Sequence, residues 1–216
     1  MTKHQIYNFA KKIIKYKRSL TGIDNLKTLK DIKKVNKNLN IKSFSSGLKF
    51  FDWTIPYEWE IKDGYIITPS GNKICDFKKS CLHVIGYSIR ISKTVSKTEL
   101  NKHLYSLKNQ PHAIPYVTSY YKKNWGFCID HKTRSKLDEG KYKVFIDSKF
   151  KKGNLKVAQA IIKGSSDKEI FFSSYICHPS MANNELSGPC LLTFISIMLK
   201  KNQSELKYSY RIIFIP

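Results

Sequence analysis

The last third of the chain constrains the fold most. "EIFFSSYIC" (residues 169–177) is almost wholly apolar, "CLLTFISIMLKK" (190–201) is an apolar run of helix length that closes on two lysines, and "SYRIIFIP" (209–216) is apolar again. A strand buried on both faces reads as a continuous apolar run, and lysines complement the C-terminal end of a helix dipole. Strand, loop, helix, strand is therefore expected as a right-handed βαβ unit, with "EIFFSSYIC" in the middle of a two-sided sheet. In such sheets the functional loops leave the carboxyl ends of the strands. The chain stops at Pro216, directly after a buried-type strand, so the α/β core is expected to be truncated at its C-terminal side, with an exposed apolar surface prone to self-association.

Upstream, Ile6, Phe9, Ile13 and Ile14 recur at helical spacing, and Leu26, Leu29, Ile32 and Val35 form the stripe of a second helix for which Asp24 is the expected cap. Residues 38–46 suit an edge strand. Between Phe50 and Ser148 the chain becomes rich in aromatic and β-branched residues cut by Gly and Pro. Here "GYIITPSGNKICDF" predicts a hairpin around Pro69–Asn72. "LHVIGYSIRI" predicts a strand pair or a long bent strand. "SKTELNKHLYSL" predicts a short helix with a Ser96/Glu99 capping box, and "YVTSYYKKNWGFCI" and "KYKVFIDSKF" predict further strands. This stretch is expected to be a small, mostly antiparallel β domain. "VAQAIIKG" is one more strand, with Gly164 after it.

The formal net charge of +23 raises nucleic-acid binding as a reading. The basic residues are nearly all lysine, the arginines being Arg18, Arg90, Arg134 and Arg211. A phosphate-binding surface favours arginine for bidentate contacts, so dispersed lysine among Asn and Ile argues for a general solvated basic surface and against a nucleic-acid partner. No apolar run is long enough to span a bilayer, and "MTKHQIYNFAKKIIKYKR" lacks the parts of a signal peptide. Cytoplasmic location is the expectation. The five cysteines show no Cys-x-x-Cys pattern and are expected to be reduced.

The stretch "SYICHPSMANNELSGP" (174–189) carries the chemistry. His178 follows a strand at its carboxyl end, Asn183, Asn184 and Glu185 lie on the next loop, and a helix opens near Ser187-Gly188-Pro189. An imidazole and a carboxylate converging there are half of a zinc site. The residues equally suit a loop histidine with Glu185 favouring a helix N-terminus. Cys177 beside His178 is not expected to form a dyad, since adjacent strand residues point to opposite faces. Ser187 is expected as a helix-start cap rather than a nucleophile, because the Gly-x-Ser-x-Gly elbow is missing. Asp52, Glu58, His112, His131 and the aromatics Trp53, Trp59 and Trp125 either line a peptide or sugar cleft or build a small core, and His83 reads as a core histidine.

The motifs "KRSLTG", "SFSSGLKFFDWTIPYEWEI", "DFKKSCLHVIGYS", "QPHAIPYVTSYYKKNWGFC" and "YICHPSMANNELSGP" resemble the bacterial aminopeptidase-like domain proteins, relatives of the co-catalytic zinc aminopeptidases. The resemblance covers nearly the whole chain, which looks like the N-terminal half of such a protein. Family members are about twice as long, resume with a Glu-Thr segment, and often end in a winged helix. The resemblance implies an aminopeptidase-like mixed or parallel sheet flanked by helices (residues 1–55 and 155–216), interrupted by a β-rich insertion (56–154). It implies that His178 is a metal ligand, that Asn184 stands where a bridging aspartate would be, and that Glu185 replaces the following asparagine. An amide oxygen is a poor bridge between two dications. The expected metal sites are therefore His178 and Glu185, with weak zinc binding, since two ligands do not close a zinc site.

The leading functional expectation is a zinc-dependent aminopeptidase-like hydrolase, partial or inactive in this chain, acting on a peptide. The alternative is a non-peptidase role in surface-polysaccharide biosynthesis or in binding a carbohydrate or other small molecule. The third is nucleic-acid binding through the basic surface.

Overall fold

The computed structural model describes residues 3–216, and these divide into two compact units, the described residues up to 58 with 152–216, and residues 59–151. In chain order the first unit opens with α1 (Lys3–Ile13), α2 (Ile23–Val35), β1 (Asn40–Ser45) and the small hairpin β2 (Lys49–Phe50) and β3 (Trp53–Thr54). The middle of the chain forms β4 (Glu58–Ile67), β5 (Lys73–Ile74), β6 (Ile91–Ser96), α3 (Lys97–Lys102), β7 (Leu104–Tyr105), β8 (Phe127–Cys128), α4 (His131–Arg134) and β9 (Lys141–Lys151). The first unit then resumes with β10 (Asn154–Ile162), β11 (Glu169–Tyr175), α5 (Ser187–Lys201) and β12 (Ser209–Ile215).

The main sheet of the first unit has the order β1-β10-β12-β11. β10 runs antiparallel to both β1 and β12, and β11 and β12 are parallel, joined through α5. The sheet is therefore mixed and the unit α/β, as the sequence predicts. Its core gathers Phe9, Ile13, Leu29, Ile32, Phe194, Ile212 and Phe214 from helices and sheet. Phe9 and Phe194 meet edge-on at 5.9 Å. Burying such side chains stabilises the fold by roughly 1.5–3 kcal/mol each.

Two expectations need correcting here. The apolar run 169–177 does not lie mid-sheet: β11 is the last strand of the order, and its residues alternate between exposed and half-buried. Phe172 packs on the helical core while Phe171 and Tyr175 are 59% and 57% exposed. β12 occupies the interior position instead. Asp24 is not the cap of α2 either. Gly22 is the N-cap, and Asp24 sits in the first turn, accepting from the Lys17 backbone N–H at 2.9 Å and pairing with Lys27.

The second unit holds a sheet of order β5-β4-β9-β6 and the short parallel pair β7-β8. The hairpin lies where its turn residues put it, with Ile66 opposite Ile74. Ser96 caps α3 by accepting from the Glu99 N–H, but the Glu99 carboxylate turns to Lys102 and His103. "LHVIGYSIRI" is not a strand pair. It begins as a 3-10 turn (Cys81–His83) and runs as irregular chain, tied by bridges Val84–Phe127 and Gly86–Thr118, until β6. "YVTSYYKKNWGFCI" supplies only the two residues of β8. Aromatic content reflects packing demand here: Phe77, Trp125, Phe127 and Tyr142 fill the core of this unit.

Candidate functional site

β11 ends at Tyr175, and the chain leaves it at the carboxyl end. The Ile176 N–H still donates to the Ile215 carbonyl at 2.8 Å, carrying the parallel ladder one residue further. Cys177 and His178 lie beyond that point, so strand alternation no longer separates them. The Cys177 Sγ is 3.4 Å from His178 Nδ1, which corrects the expectation that the two face apart. The following loop turns back through Ser180 and Glu185, both with left-handed backbone (φ 57° and 61°). The loop closes when the Ser187 N–H donates to the Ala182 carbonyl.

That turn buries Glu185 and aims it at His178. The carboxylate accepts from the backbone N–H of His178 and lies in contact with His178 Nδ1. The Cys177 thiol donates to Glu185 Oε1 at 3.3 Å. Among the described residues, Cys177, His178 and Glu185 form a group whose ligand atoms all lie within 4.8 Å of one another. Burial, followed by the charge of Arg18, holds the His178 imidazole below its usual pKa, so it is neutral near pH 7. Burial pushes the Cys177 thiol up to about 11, against a smaller opposing effect of Arg18.

Two further residues hold the site, and sequence reasoning did not single them out. Arg18 is 2% exposed. Its Nε and Nη2 donate to the His178 carbonyl at 3.1 and 2.9 Å, and Nη2 also donates to the Glu185 carbonyl at 3.0 Å. One guanidinium thus clamps both ends of the loop, a geometry lysine cannot supply. Asn25 donates to the Ser19 and Ile176 carbonyls and accepts from the Ser19 N–H, fastening the "KRSLTG" segment to the strand end. The available signal was Arg18 itself, one of few arginines in a lysine-rich chain.

α5 begins close to β11 at Gly188, where a Cβ would lie 2.5 Å from Ser174 Oγ. Ser187 does not cap the helix: it is the first helical residue, after Leu186, and its hydroxyl donates to the Asn183 carbonyl. Asn184 is exposed on the loop. His83, His112, His131, Asp52 and Glu58 are not members of that group. His83 Nδ1 bonds the Cys128 carbonyl and His131 Nδ1 bonds Ser106. Glu58 accepts from the Asn154 N–H, while Asp52 and His112 are exposed.

A family model described as a domain of unknown function, DUF2172, matches residues 58–149. A Clostridium acetobutylicum protein, named for polysaccharide biosynthesis and an aminopeptidase-like domain, is 42% identical over 212 residues, covering 98% of this chain and 48% of its own length. A crystal structure from Clostridium acetobutylicum, provisionally described as a peptidase, superposes with a TM-score of 0.90 at 42% identity, over 99% of this chain and 50% of the other. A zinc aminopeptidase from Bacillus subtilis shares the fold at a TM-score of 0.57 and 12% identity, over 98% of this chain and 60% of the other. The chain spans about half the length of the curated relative that it matches. Over 98% of its length this chain is similar to a bacterial protein named for an aminopeptidase-like domain.

Proposed function

We propose that the chain carries the strand-end part of a zinc-dependent, aminopeptidase-like hydrolase site. The observation that carries this reading is the convergence of Cys177, His178 and Glu185 at the carboxyl end of β11. His178 and Glu185 are the candidate ligands, and Cys177 is a third donor beside them. The donor set fits zinc: a neutral imidazole nitrogen, a carboxylate oxygen and a thiol sulfur are its common ligand types. A buried thiol with a raised pKa must give up its proton to bind, and Glu185 is already engaged by His178, so the affinity is weak.

When bound, such an ion polarises a scissile carbonyl and lowers the pKa of its water. The chain's own residues prepare for it. The Glu185 carboxylate beside His178 Nδ1 sets the ring plane of the imidazole. Arg18 holds the two backbone carbonyls that set the His178–Glu185 separation. On this reading the trio serves to hold the ion, and the 216-residue chain is expected to show no peptidase turnover of its own.

A non-peptidase role in polysaccharide biosynthesis is the second reading, favoured by the name of the relative at 42% identity. One experiment tests the first reading. The purified chain is loaded with zinc, dialysed, analysed for metal and assayed with an amino-acid amide substrate. The hydrolase-site reading predicts zinc uptake that dialysis reverses, loss of uptake in His178→Ala, and no turnover. Zinc uptake that His178→Ala leaves unchanged contradicts it.

A further inference from the structure

The second unit contains a pocket with no part in the strand-end site. Tyr87, Tyr120, Tyr121, Lys122, Lys123 and Phe150 line an open pocket of about 160 Å³. That is well below the roughly 300–1,000 Å³ of sites for drug-sized ligands, so it admits one ring-sized group and not a folded segment of chain.

Its walls are aromatic and fixed. The Tyr87 ring stacks on Trp59, with centroids 5.8 Å apart and planes at 22°. Tyr120 meets Tyr87 edge-on at 5.1 Å, and Phe150 leans on it at 5.8 Å. Tyr87 is held with φ 62°, a left-handed conformation that a bulky residue adopts only where its surroundings enforce it. Backbone bonds on both sides enforce it. Gly86 N–H donates to the Val117 carbonyl, Ser119 N–H to the Gly86 carbonyl, and Ile89 N–H to the Asn124 carbonyl. The segment 119–123 is therefore anchored at both ends, and its Tyr121 ring stands 82% exposed beside Tyr120. The Tyr116 and Tyr120 hydroxyls are 3.0 Å apart. Lys122 and Lys123 are exposed at the rim.

From these features we propose that the pocket binds one anionic sugar ring, with a carboxylate or phosphate substituent directed at Lys122 and Lys123. A pyranose offers an apolar C–H face to stack on the exposed Tyr121 ring and hydroxyls that exchange hydrogen bonds with phenol groups. The two ammonium groups supply charge complementarity to the substituent without a bidentate fork, which suits a mobile point contact. The assignment is independent of the metal site, and every residue named lies within residues 59–151.

The test is a saturation-transfer NMR titration of the full chain with glucuronic acid, glucose 6-phosphate, neutral glucose and inorganic phosphate. Wild-type protein is expected to bind at least one of the two anionic sugars saturably and at least tenfold more tightly than glucose or inorganic phosphate. The two anionic probes distinguish a carboxylate from a phosphate source. Tyr121→Ala and the pair Lys122→Ala/Lys123→Ala, all at exposed positions, are each expected to weaken that binding at least tenfold while leaving the melting temperature unchanged. Absence of saturable binding to both anionic sugars overturns the proposal. So does affinity unchanged by these variants, or inorganic phosphate binding as tightly as the sugars.

Discussion

Asp31 shows how much a single residue carries. It is 4% exposed, yet it accepts from Tyr16 Oη at 2.6 Å, from Lys12 Nζ at 2.8 Å and from Lys34 Nζ at 3.2 Å. Burial alone would raise its pKa, but the hydrogen bonds from Lys12, Tyr16 and Lys34 outweigh it and hold the carboxyl below its usual 3.8. Tyr16 responds in the opposite sense, pushed up to about 12 chiefly by its hydrogen bond to Asp31. A carboxyl depressed in the folded state contributes stability that is fully present above its unfolded pKa and is lost as pH falls through the folded value. Denaturant melts of the wild type should therefore weaken progressively below about pH 4. Asp31→Asn should cost about 1.5–3 kcal/mol at pH 7 and flatten that low-pH loss; an unchanged pH profile in the variant would remove Asp31 from the account. In the sequence Asp31 stands among lysines and looks like any solvated charge. Its partner Tyr16 lies on a different segment, and such long-range pairing has no local signature. Arg18 and Cys177 were hidden for the same reason: their roles depend on which loop the fold returns beside them.

At the scale of elements, periodicity was a good guide wherever one face of an element meets the core. α1, α2, β9, β10 and β12 all lie where their apolar spacing puts them. β11 was misread because Phe171 and Tyr175 are apolar residues on an exposed face, and apolar composition cannot tell an interior strand from an edge one. The irregular 84–90 and 116–126 segments were misread because aromatic residues that serve a small core imitate a strand pattern. The trio was half legible. His178 and Glu185 are marked by their place after a buried-type run, whereas Cys177 joins only because the strand ends two residues earlier. Two substitutions test the packing. Phe214, fully buried in β12, should cost about 3–5 kcal/mol as Phe214→Ala. Gly164 lies against the chain at 206–208, where an added Cβ would sit 2.3 Å from the Tyr208 carbonyl oxygen. Because backbone cannot rotate away, Gly164→Ala should destabilise by roughly 1–3 kcal/mol. Equilibrium unfolding checks both, and a neutral Gly164→Ala would show that residues 206–208 give way.

At the scale of the molecule, two opposing terms act on the sheet's exposed face. Phe171 and Ile161 flank Arg211 in the β11–β12–β10 register, and Tyr175 lies on the same face. This surface favours association, while a net charge of +23 opposes it through like-charge repulsion. Salt screens the second term and not the first, the Debye length falling from about 10 Å at 0.1 M to about 3 Å at 1 M. We expect sedimentation velocity to show a monomer at low salt and concentration-dependent self-association at high salt, reduced in Phe171→Ser/Tyr175→Ser. A monomer under all conditions would mean that the face is too small or too interrupted by Arg211 to drive association.

We propose that Cys177, His178 and Glu185 act together as one weak metal-binding unit held by Arg18. Its most direct test is a calorimetric zinc titration of the wild type beside His178→Ala, Cys177→Ser, Glu185→Gln and Arg18→Lys, each first shown to be folded. We expect one weak site in the wild type, at least tenfold loss of affinity in His178→Ala and Glu185→Gln, and smaller losses in Cys177→Ser and Arg18→Lys. Zinc affinity that is the same in the wild type and in His178→Ala would contradict it.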